Sequence, residues 1–198
     1  MGKRGSIRVG LLSSARLGLG LLGVMFAVGG LIGMICAGCV NGESGAALGD
    51  YLNACLSQEG GWQVPVWSAA WRHLRFPLAV CLLSLTAAGV VGIPLVFGIR
   101  GFLFTFGVGC FCRLYGWPGV LPALALFGVP ALVWAPVLFL LGLQGMGSAL
   151  SLCRREALPL GGAFWRRWIL CGIALWGCVL LEVLAVPRLL AAAARIVL

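Results

Sequence analysis

Charge is missing from five stretches of this chain, and that absence constrains the fold more than any motif does. No Asp, Glu, Lys or Arg falls within residues 17–42, 76–99, 101–112, 114–153 or 168–181. The last pattern stays apolar to Leu184 and is broken only by Glu182. A helix needs about 20 apolar residues to cross a bilayer core, so the first, second, fourth and fifth runs are long enough. The third, bounded by Arg100 and Arg113, crosses only if those arginines snorkel to the two interfaces or the helix is partly re-entrant. With 62% hydrophobic and 10% charged residues, there is too little polar surface to cover a water-facing enzyme. Disorder is excluded as well, because disordered chains are poor in large apolar residues.

These runs predict an all-α integral membrane protein, a polytopic bundle of about five transmembrane helices with Pro/Gly-broken central helices. The whole chain reads as a single membrane domain. Residues 1–16 form a basic cytoplasmic N-terminus, 40–75 an extracytoplasmic amphipathic loop and 76–153 a Pro/Gly-rich helical core. Residues 154–167 make a basic cytoplasmic loop, and 168–198 the last span and C-terminus. Lys3, Arg4 and Arg8 resemble the basic start of a signal peptide, but the apolar run behind them is about twice a usual signal core. It is therefore read as an uncleaved first span. The positive-inside rule places the N-terminus in the cytoplasm and the C-terminus outside the bacterial cell membrane. Its inner cations include Arg16, Arg100, Arg154, Arg155, Arg166 and Arg167, against Arg72, Arg75, Arg113, Arg188 and Arg195 outside.

The formal charge of +9 does not mark a nucleic-acid binder. All but Lys3 of the 14 cations are Arg, and they sit at the edges of apolar segments, where they set orientation and attract anionic head groups. The nine cysteines are odd in number, and Cys81, Cys171 and Cys178 lie inside apolar runs. They read as small fillers rather than a disulfide framework.

In the outer loop, Leu48, Tyr51, Leu52, Cys55 and Leu56 recur at helical spacing. Gly60-Gly61 breaks that helix, and Trp62, Trp67 and Trp71 follow as an aromatic cluster. Tryptophan favours the head-group level, so this segment reads as an interfacial helix or, more sharply, as a docking face for an extracytoplasmic partner. Glycine and proline gather in the middle of the chain, at Gly89, Gly92, Pro94, Gly101, Gly107 and Gly109, then Pro118, Pro122, Pro130 and Pro136. Small residues let helix backbones approach, and prolines free carbonyls that neighbours must satisfy. Gly29 and Gly33 form a GxxxG, which leaves homo-oligomerisation open.

Little here resembles catalytic machinery. His73 is the single histidine, no HExxH is present, and Cys36/Cys39 is a lone CxxC, so neither a metal site nor any other cofactor is expected. Neither a GxSxG nor a P-loop occurs. Glu182 is the one acid inside an apolar segment, and an intramembrane carboxylate is a functional candidate by default. The alternative is that it lies near the outer interface and pairs with Arg188.

Taken in order, Gly89-Val-Val-Gly92-Ile-Pro94, Arg100-Gly101-Phe102, Phe106-Gly-Val-Gly109, Tyr115-Gly-Trp-Pro-Gly119, Pro130 with Pro136, and Glu182 with Pro187 resemble the stage II sporulation protein M family. Ala131-Leu132 stand where that family often has Gln-Asn. The resemblance implies a non-enzymatic scaffold of the engulfment machinery in endospore formation, placed in the mother-cell membrane at the septum. It would recruit stage II sporulation proteins P and D, which degrade peptidoglycan. On this reading Tyr51, Trp62, Trp67, Trp71 and Glu182 are candidates for partner contact. Gly89, Gly92, Pro94, Arg100, Gly101, Phe102, Pro130, Pro136 and Pro187 are structural. The competing expectation is a subunit of a small-solute or ion transporter or channel, suggested by the proline-broken fourth run and Glu182.

Overall fold

The computed structural model describes residues 3–40, 50, 66–117, 120–155, 161–185 and 188. Every element among them is helical. Helix α1 is Lys3–Cys39, α2 is Val66–Ser84 and α3 is Gly89–Tyr115. A single turn, α4 (Val120–Ala123), leads through a π-helical turn (Leu124–Gly128) into α5 (Val129–Cys153), and α6 is Gly162–Leu184. Four stretches are long and apolar enough to cross a membrane: Arg16–Cys39, Gly89–Leu114, Leu124–Cys153 and Phe164–Leu184. α2 is not one of them, since its 19 residues carry Arg72, His73 and Arg75 in the first half. Large apolar side chains point outward all round the bundle, with Leu17, Val91 and Leu132 more than 70% exposed. That surface suits lipid rather than water, and the chain has the make-up of a multi-pass membrane protein.

The second and third apolar runs are divided differently from the sequence expectation. Residues 76–99 are not one helix, because the chain turns at Leu85–Ala88, where Leu85 and Thr86 N–H groups bond the Leu82 and Leu83 carbonyls at 3.2 and 3.1 Å. The run from Arg100 to Tyr115 is instead the second half of α3. Arg100 therefore sits mid-helix rather than at a helix boundary. The C-terminal part of the expected outer loop, from Val66, already belongs to α2. Gly116 ends α3 at φ 63°, the left-handed region that favours glycine.

Glycine sets how the helices meet. α1 and α3 run parallel and touch backbone to backbone: a Cβ at Gly29 would strike the Gly98 carbonyl, one at Gly33 the Phe102 carbonyl, and one at Gly101 the Phe26 carbonyl. Thr105 Oγ1 donates to the Gly30 carbonyl at 2.7 Å, and Arg113 donates to the Gly38 carbonyl. The GxxxG of α1 is thus used within the chain. On the other side α5 runs antiparallel to α3, with Gly142 against the Phe97 ring and Gly145 against Ile93, Ser84 and Val80. Leu22, Val80, Phe97, Leu138, Leu141 and Leu175 lie at the centre of the resulting core. The helices alternate in direction, so the start of α1, the α2–α3 turn and the end of α5 share one end of the bundle.

The π-helical turn answers a local problem. Pro130 has no N–H to give, and just before it Val129 N–H reaches back to the Leu124 carbonyl in the wide π register. α5 then continues through Pro136, as α3 does through Pro94. The glycine contacts make a sharp expectation. Gly33→Ala should destabilise the protein by about 1–3 kcal/mol through overpacking, seen as a lower thermal unfolding midpoint in detergent. Gly20→Ala, whose Cβ would meet nothing within 4 Å, should leave that midpoint unchanged.

Candidate functional site

The buried ionisable side chains, His73 and Glu182, lie together where α2 and α6 meet beside α3 and α5. α2 reaches α6 closely because the small side chains of Ala69 and Ala70 are buried against Val179. One turn further along, His73 is buried and its Nε2 donates to Glu182 Oε2 at 2.5 Å. Arg72, on the outer flank of the same helix and 44% exposed, donates through Nη2 to Glu182 Oε1 at 2.9 Å. Both oxygens of a carboxylate that is itself buried are thus engaged from a single turn of α2. An unpaired carboxylate at this depth would be costly, so the pairing is what lets Glu182 remain inside the bundle.

Arg100 approaches from α3. Its guanidinium carbon stands 4.0 Å from the centre of the Trp134 ring and 4.9 Å from that of Phe76. Arg75 meets the same Phe76 ring at 4.9 Å. These are cation–π contacts, in which the ring face offers negative potential to a partly desolvated cation. Between them lies a cavity of about 10 Å³ lined by His73, Phe76, Pro77, Arg100, Trp134, Leu138 and Leu175, at the lower limit for a single water.

Cys178 completes the cluster from α6. Its Sγ lies 3.9 Å from both ring nitrogens of His73 and 3.4 Å from the Pro130 carbonyl. A thiol, an imidazole and a carboxylate in contact have the makings of a nucleophile, base and orienting group, but the geometry is wrong for that chemistry. A sulfur equidistant from both nitrogens is aimed along neither lone pair, and its S–H donates to the Pro130 carbonyl. Cys178 packs as a small buried side chain. Among the described residues no three are placed to hold a metal ion.

Of the residues singled out in the sequence, Glu182 is at the centre of this site. Trp67 and Trp71 are on α2, 80% and 57% exposed, facing away from it. Tyr51, Trp62 and Pro187 lie outside the described residues. Gly89, Gly92 and Gly101 mark close helix contacts, Phe102 stacks on Phe106 at 5.7 Å, and Pro94 and Pro130 are buried while Pro136 is on the outer face. Sequence reasoning misses His73, which looks like a lone histidine, together with Arg72, Trp134 and Cys178. A signal is there: an intramembrane acid calls for a cation, and Trp71-Arg-His-Leu-Arg75 is a cation group inside an apolar pattern. The 109 positions between His73 and Glu182 hide the match.

Comparison with protein-family models, with curated proteins and with solved structures gives no match for this chain. The site itself is open to a direct measurement. Glu182→Leu should cost about 3–5 kcal/mol, because it leaves buried His73 without its partner, and thermal unfolding in detergent would read it. The double variant His73→Leu/Glu182→Leu should lose less than the two single losses combined. Strict additivity would show that the two side chains do not act as a pair.

Proposed function

We propose that this chain is a non-enzymatic membrane scaffold, of the kind its resemblance to stage II sporulation protein M implies. It would anchor the peptidoglycan-degrading stage II sporulation proteins P and D at the septal membrane during engulfment. The observation that carries the scaffold reading is how the enclosed polar groups are used. Glu182 holds α6 to α2 through Arg72 and His73, and Arg100 of α3 lies on Trp134 of α5. These contacts knit four helices together around a cavity of about 10 Å³ beside His73. A rigid bundle of this kind suits a platform, with Trp67 and Trp71 exposed at one end for a partner or for the head-group layer.

In this reading α2 crosses as well, giving five passes with the Arg154, Arg155, Arg166 and Arg167 end in the cytoplasm. Arg100 drops out of the inner group of cations, yet the inner end keeps the larger share, so the orientation stands. Trp67 and Trp71 then face the wall compartment, where cell-wall hydrolases or their membrane anchors would meet them.

Deleting the gene in a spore-forming host should stall engulfment and disperse the two hydrolases from the septum; normal septal foci would overturn the reading. A photoreactive group at Trp67 should capture a protein partner, whereas lipid adducts alone would leave α2 as an interfacial helix. A flux into liposomes that Glu182→Gln abolishes would favour the transport alternative.

A further inference from the structure

Charge matching inside the bundle is incomplete, and the incompleteness is local. Within helices α1 to α6 the only carboxylate is Glu182, and Arg72 and His73 already occupy both of its oxygens. Among the described residues, Arg75 and Arg100 meet ring faces rather than acceptors, converging on Phe76 from two helices. A ring face attracts the charge of a guanidinium but accepts few of its five N–H groups. Arg100 is partly buried between α2 and α5, and no hydrogen-bond acceptor from the described residues reaches it. Arginine forks are suited to oxyanions, which accept two parallel N–H bonds at once.

We propose that Arg75 and Arg100 form a binding site for a phosphate-type oxyanion, seated at the edge of the Phe76 ring. The cavity beside His73 is too small for the anion, so the ligand binds at the outer side of the two guanidinium groups, where Arg75 is exposed. Glu182 does not compete, because its oxygens are held by α2. The large apolar side chains around the bundle would carry the acyl chains of a phospholipid, while an inorganic anion would reach the same two forks from water. The site stands apart from the scaffold reading and does not depend on it.

The test uses the purified full chain in a phosphate-free sugar detergent, with native mass spectrometry to follow adducts. Phosphatidylglycerol and inorganic phosphate are titrated separately. One saturable adduct is expected, weakened about tenfold in Arg75→Gln/Arg100→Gln, in line with loss of charge-assisted hydrogen bonds. Arg75→Gln alone alters an exposed side chain, keeps the fold and should weaken the adduct by a smaller factor. Arg166→Gln/Arg167→Gln, at the far end of α6, should bind as the parent does. If phosphatidylglycerol alone shows this dependence, the ligand is a lipid head group; if inorganic phosphate shows it too, the site takes soluble anions. Equal binding by the parent and by both Arg75 variants, with either probe, would overturn the proposal.

Discussion

Everything in this bundle depends on how near two parallel helices can come. α1 and α3 meet carbonyl to glycine at Gly29, Gly33 and Gly101, positions where even a methyl group would collide with the facing backbone. In an apolar solvent the burial of hydrocarbon gives no preference for helix over lipid, so association rests on close packing and on hydrogen bonds that only short distances allow. Thr105 shows the link: its hydroxyl reaches the Gly30 carbonyl at 2.7 Å because nothing but hydrogen stands between the two helices. With α1 fixed on one flank of α3, the other flank is free to take α5, again through glycines, and the core closes around Phe97 and Leu141.

The polar cluster uses the same economy of space. Ala69 and Ala70 bring α2 against α6, so that a short imidazole spans the gap to Glu182. Arg100 would be an expensive cation at mid-helix if it stood alone. The Trp134 and Phe76 rings give it a surface it can lie on without a direct ion pair. Aromatic faces and one carboxylate thus accommodate four cationic or protonatable side chains contributed by two helices.

How far the fold can be read from the residues depends on what each signal assumes. Residues 17–39 and 168–184 are legible because length and a near absence of charge are sufficient for a spanning helix. Residues 76–116 are misdivided by the assumption that an arginine marks a helix end. Arg100 breaks that assumption through contacts made by Phe76 and Trp134, both distant in sequence. The true break, at Leu85–Ala88, has no charge and no proline to announce it. Glu182 is visible as an anomaly from its own surroundings. Its partner is not, since a histidine's role depends on which helix faces it, and helix pairing is not written in local spacing.

The pairing of α2 with α6 also has a consequence for how the protein is made. Arg72 and His73 emerge from the ribosome long before Glu182, which follows His73 by 109 positions. Until α6 is inserted, α2 must wait with its cations unneutralised, held near the membrane surface or shielded by the insertion machinery. Only the arrival of α6 supplies the carboxylate that pairs with them. Locking of the bundle therefore waits for α6, and a chain cut short before Glu182 would leave Arg72 and His73 without the carboxylate they share.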